Sequence, residues 1–112
     1  MSEAEVVEVL DQIAKDSLRT GKLSLGRLAT VQAMVDLGRG WHKYTEVARQ
    51  LQRYIVTGGI YTFQLAGKYP SVFQQSEDHL VRINPDAFDL VAKNVKRKMK
   101  EVKATARKGS EK

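Results

Sequence analysis

The stretch Thr57-Gly58-Gly59-Ile60-Tyr61-Thr62-Phe63-Gln64-Leu65-Ala66-Gly67-Lys68-Tyr69-Pro70 concentrates glycine, aromatic and basic residues in one short segment. Its Gly67-Lys68 pair invites comparison with a nucleotide-binding loop. Such a loop needs a glycine five positions before that pair's glycine and a Ser or Thr directly after the lysine. Thr62 and Tyr69 occupy those places, so the spacing excludes the motif. A different chemistry fits better. On a helix over about 58–68, Tyr61, Gln64 and Lys68 recur at spacings of three and four and share one face, with Ile60, Phe63 and Gly67 on the other. A glutamine amide matches the major-groove edge of adenine, and Tyr and Lys reach phosphates. Thr57 stands at the entry, and Gly58 and Gly59 would let the N–H groups of the helix start approach a phosphate closely. The plainer alternative is a tight glycine turn with Tyr61 packed inside.

Other chemistries find little support. His42 and Glu46 are four apart and His79 is the remaining histidine, too few ligands at matched spacing for a metal site. With no cysteine there is no disulfide, thiolate site or thiol nucleophile, and no local Ser-His-Asp arrangement appears. The expectation is a non-enzyme that needs no cofactor or metal.

Charge points to a partner. The net charge of +6 divides into −3 over residues 1–20, +4 over 21–83 and +5 over 84–112. A basic body and tail behind an acidic first helix suit a polyanion. Arg39, His42, Lys43, Arg49 and Arg53 are the candidates to hold a nucleic-acid backbone. No apolar run approaches the ~18 residues of a membrane span, and MSEAEVVEVL lacks the basic start of a secretion signal. A cytoplasmic, nucleoid-associated chain with no membrane partner is expected.

The elements that would position these residues follow from periodicity. Ser2 caps a helix over 3–19 whose Val6, Val9, Leu10 and Ile13 form one stripe, closed by Thr20-Gly21-Lys22. Ser24 starts a helix over 24–38, with Leu25, Leu28, Val31 and Val35 on one face and Gly38 and Gly40 as its stop. Trp41 and Tyr44 flank a short turn, and a short helix over 44–52 turns Val47, Ala48 and Leu51 inward. After the segment ending at Pro70, runs 71–74 and 79–83 alternate like strands around the polar turn Gln75-Ser76-Glu77-Asp78. Asn84-Pro85-Asp86 then starts the last helix. Phe88, Ala92, Val95, Met99, Val102 and Ala106 recur along it at heptad spacing, amid a dense lysine surface.

This order of elements resembles the winged helix-turn-helix DNA-binding proteins, in particular small dimeric regulators of the PadR and MarR kind. The resemblance covers about residues 24–84 and rests on layout, not on a signature motif. It implies a mainly α fold with a small β-hairpin: residues 1–108 form a single winged-helix domain, flanked by helices 3–19 and 85–107, and 109–112 form a flexible tail. It makes 58–68 the recognition helix and 71–83 the wing. Glu77 and Asp78 stand where a DNA-touching wing carries Arg or Lys, which argues against insertion of this tip into the minor groove. The resemblance further implies a homodimer built by the terminal helices, with Val6, Leu10, Ile13, Val95, Met99 and Val102 as dimerisation residues. An intramolecular cover for the core is the alternative use of those helices. The function expected is sequence-specific binding of double-stranded DNA by a transcriptional regulator. The alternatives are a DNA-coating or partition protein that spreads along DNA, and a protein-interaction module.

Overall fold

The computed structural model describes residues 1–19, 26–54 and 61–110, and the side chains of these except 16–19 and 105–110. The chain is mostly helical with one small antiparallel sheet. The helices are α1 (Glu3–Arg19), α2 (Gly26–Leu37), α3 (Tyr44–Leu51), α4 (Thr62–Lys68) and α5 (Phe88–Ser110). The strands are β1 (His42–Lys43), β2 (Phe73–Gln75) and β3 (Leu80–Ile83), ordered β1-β3-β2.

α1 begins as its sequence requires. The Ser2 hydroxyl accepts from the Glu5 N–H at 3.2 Å, and Glu3 and Glu5 place negative charge on the positive end of the helix. Val6, Leu10, Ile13 and Ala14 are buried and Val9 is half-buried, the predicted stripe. The capping role of Ser24, the stop at Thr20-Gly21-Lys22 and the position of Leu25 lie outside the described residues.

α2 departs from expectation. A one-sided helix was predicted, but every residue from Gly26 to Met34 except Arg27 is buried, which covers nearly its whole circumference. A helix buried all round is a central post. α2 packs on α1 and α5, on α3, and on α4 and β3. The Thr30 hydroxyl donates to the Gly26 carbonyl at 2.7 Å, and Gln32 Nε2 donates to Asp36 at 2.9 Å while its buried Oε1 has no hydrogen-bond partner among the described residues. It ends where the chain turns left-handed. Gly38 has φ +89° and its N–H donates to the Val35 carbonyl at 3.0 Å, while Gly40 has φ +101°. An L side chain is strained at both.

The sheet gains a strand that the sequence hid. The hairpin is present, with Phe73 paired to Ile83 and Gln75 to Val81. β3 is also paired on its other edge, where His42 meets Val81 and Lys43 meets Leu80. Two residues are too short to show alternation, so the strand is created by the free edge of β3. Val81 and Ile83 alternate inward with Phe73 and Val72.

α5 begins later than predicted, at Phe88 and not at 85; Asn84 Oδ1 accepts from the Asp86 N–H at 3.0 Å in a turn ahead of the helix. It runs to Ser110, past the expected end at 107. Its inner stripe is Ala87, Val91, Asn94, Val95, Met99 and Val102. The predicted seam is thus corrected at its start: Phe88 and Ala92 are only half-buried, because Ala87 and Val91 take the inner positions. The side chain of Ala106 is outside the described set. The six residues expected to join two subunits are packed within one chain. Val6, Leu10 and Ile13 of α1 and Val95, Met99 and Val102 of α5 belong to the same buried core, so they supply the intramolecular cover and not a free dimer seam.

Candidate nucleic-acid interface

α4 is the element to which base reading was assigned, and it is shorter than predicted. It starts at Thr62, and Thr62, Leu65 and Ala66 are buried with Tyr69 half-buried behind them. This phase corrects two assignments. Phe63, expected inward, is 37% exposed. Tyr61, expected on the reading face, is packed against the core at the N-cap, with the Arg27 guanidinium 4.8 Å above its ring. The outward face of α4 is therefore Phe63, Gln64, Gly67 and Lys68, all exposed. Gln64 and Lys68 keep the places predicted for them. Lys68 Nζ lies 5.6 Å from the Tyr69 ring centre. Thr57, Gly58, Gly59 and Ile60 lie outside the described residues.

The exposed face of Phe63 is not isolated. Its ring is 5.9 Å from that of Tyr44 at the start of α3, and Tyr44 is 47% exposed. His79 of the β2–β3 turn meets it edge-on at 6.3 Å. Three elements thus share one aromatic surface. Sequence reasoning missed it because the inner stripe was phased on Ile60 and Phe63. Thr62, Leu65, Ala66 and Tyr69, spaced i, i+3, i+4 and i+7, were the signal for the actual phase.

The turn that carries His79 is a three-residue loop. Ser76 and Leu80 close it, with Ser76 N–H donating to the Leu80 carbonyl at 2.8 Å and Leu80 N–H to the Ser76 hydroxyl at 3.0 Å. Loops of this length place a left-handed residue last, and His79 fills that place with φ +61°. Glu77 and Asp78 are exposed at the tip. Behind the loop, Arg82 of β3 stacks on Trp41, just before β1, at 4.3 Å and its Nε donates to Gln74 of β2 at 2.7 Å.

The proposed backbone-holding cations divide. Lys43, Arg49 and Arg53 are exposed on β1, on α3 and just beyond it. The Lys43 N–H donates to the Glu46 carboxylate at 3.1 Å, which fixes the start of α3. Arg39 is held to α5 instead: its guanidinium pairs with Asp89 and covers the Phe88 ring at 4.8 Å. Half of that side chain remains exposed, so the pair is a weak competitor for a phosphate. His42 faces inward far enough for Nε2 to bond the Gly38 carbonyl at 2.9 Å.

The exit of α3 is fixed by one carboxylate. Asp36 of α2 accepts from Gln32 at 2.9 Å, from Gln50 at 3.0 Å and from the Tyr54 hydroxyl. Partial burial pushes its pKa up, but the three hydrogen bonds and the charge of Lys96 outweigh that and leave it below the ordinary carboxylate value. Burial and the same carboxylate push the Tyr54 phenol up to about 12. These bonds tie the exit of α3 to α2.

Among the described residues no three His, Asp or Glu side chains form a group able to hold a metal ion, and no helix is long and apolar enough to cross a membrane. Comparison with family models, curated proteins and solved structures finds no match to this chain.

Proposed function

We propose that this chain is a winged-helix protein that binds double-stranded DNA in a sequence-specific manner, as a transcriptional regulator. The observation that carries this is the arrangement around α4. A helix whose outer face presents Phe63, Gln64 and Lys68 follows α3 and precedes a hairpin completed by a strand from the α2–α3 connection. That order supports a winged helix. Gln64 takes the role of base reader toward adenine, and Lys68, Lys43, Arg49 and Arg53 hold phosphates. Two copies on a two-fold site would double the contacts, through a surface other than the α1–α5 seam.

The test is a gel-shift selection of a bound duplex, followed by two variants. Gln64→Ala lowers affinity at one base position by about 1–3 kcal/mol and relaxes discrimination there. Arg49→Ala weakens binding to every sequence alike. Equal loss from both variants on all duplexes removes the division of roles, and no salt-dependent binding by the parent chain removes the function.

The acidic tip supports a second use of the same fold. Glu77 and Asp78 are repelled by phosphates and are free to meet a basic surface on a neighbouring copy. A protein that coats DNA outward from a site, as a partition factor does, would use them so. A footprint that lengthens with protein concentration distinguishes coating from simple repression.

A further inference from the structure

We propose that α5 carries a second, sequence-independent DNA contact: Lys96, Lys100 and Lys103 extend the phosphate-holding track of Arg49 and Arg53 from α3 onto the last helix. The inference rests on the DNA-binding function proposed above and goes beyond it, because it adds an element outside the winged-helix core.

The basic residues of α5 fall into two sets. Lys93 pairs with Glu3 at 3.5 Å, Arg97 with Glu101 at 3.9 Å, and Lys98 with Asp11 and Glu101. Those cations serve the fold. Lys96, Lys100 and Lys103 are exposed and make no direct salt bridge among the described residues, although Lys96 acts on Asp36 at longer range. Their spacings of four and three put them on one stripe. Over seven residues the stripe spans about 10 Å, the axial length of roughly three phosphates on one strand of a duplex.

Its position links it to α3. Tyr54, the residue after Arg53, lines one cleft together with Lys96, Lys100 and Lys103. The Asp36 hydrogen bonds hold Tyr54 in that place. The lysine stripe therefore begins beside the exit of α3, next in the chain to Arg53. Exposed lysines outside the salt bridges of the fold carry counterions that a phosphate backbone displaces, a gain that does not depend on base sequence.

The experiment is a salt titration of duplex binding with the full chain, the Lys96→Gln/Lys100→Gln/Lys103→Gln variant, and the matching triple Arg variant. In the parent, log K falls linearly with log salt. The Gln variant is expected to lose about 2–3 from that slope, at about 0.9 for each phosphate released. Its footprint shortens on one flank, its ratio of selected to random duplex stays unchanged, and the Arg variant keeps the parent slope. A folded Gln variant with the parent slope and footprint overturns the stripe and leaves the proposed function standing. A parent chain that binds no duplex at any salt overturns both. If the triple Gln variant loses its helical circular dichroism, Lys100→Gln alone decides, through an expected slope loss of about 0.9.

Discussion

The Phe63 ring of α4 and the His79 ring of the β2–β3 turn meet edge to face, with centroids 6.3 Å apart and planes at 85°. The contact fastens the hairpin tip to the helix that faces outward. It also explains why a histidine occupies a left-handed position that glycine fills without cost. Backbone strain at His79 is offset by a ring contact that glycine cannot make.

A double-mutant cycle separates the two terms. In a Phe63→Ala background, His79→Gly is expected to stabilise the chain by about 1 kcal/mol, the strain of a left-handed L residue. With Phe63 present the gain is smaller by the aromatic term, about 0.5–1.5 kcal/mol. Urea denaturation of the four proteins reads the difference, and equal gains in both backgrounds would mean that the ring contact contributes nothing.

Gly38→Ala is expected to destabilise by about 1 kcal/mol, from the backbone alone. At φ +89° the added methyl meets no atom within 4 Å, so no clash confuses the measurement. Thermal unfolding checks it. An unchanged midpoint would show that the end of α2 relaxes into a right-handed turn.

The Asp36–Tyr54 pair gives stability a window bounded by two titrations. The Asp36 pKa lies below its unfolded value, so its contribution is complete above the unfolded carboxylate value and is lost as pH falls through the folded one. The Tyr54 pKa is raised to about 12, so its contribution is complete below the ordinary phenol value of 10.0 and is lost as pH rises through about 12. Tyr54→Phe at neutral pH should cost about 1 kcal/mol, below the range for a charged hydrogen bond because the site is open to solvent. Spectrophotometric titration of the variant should lack the phenol that ionises near 12 in the parent. A parent chain whose tyrosines all ionise near 10 rules the contact out.

Lys98 ties α1 to α5 through Asp11. Its hydrogen bond to Asp11 outweighs partial burial and, with Glu101, raises its pKa. Lys98→Ala should cost about 1–2 kcal/mol at neutral pH, below the range for a fully buried pair because Asp11 is partly exposed. The raised folded pKa means that this stabilisation is complete below the unfolded lysine value, about 10.4, and disappears as pH rises through the folded one. Parent and variant stabilities should therefore converge in strong base. A constant gap across that range would assign the loss to packing of the lysine stem.

Where the sequence was legible, a repeated signal carried it. The stripe Val6-Leu10-Ile13, the Ser2 cap, the left-handed stop at Gly38 and the alternation of Val81 and Ile83 each mark an element that the structure contains. β1 was illegible because its pairing comes from β3 and not from His42 and Lys43 themselves. The phase of α4 was misread because a seven-residue helix offers two competing stripes, and Tyr69 beyond its end decides between them. The heptad of α5 was visible, but its use was not. Apolar spacing is the same whether the facing helix belongs to this chain or to another copy, and α1 takes that place here. Gln64 and Lys68 stayed on the outer face because either phase of α4 leaves them in solvent.

α2 is enclosed by every other helix and by β3. No partial opening of a single neighbour exposes its backbone, so the amide protons of Leu28 through Met34 can exchange with solvent only when the whole chain comes apart. Those protons are expected to report the global free energy directly.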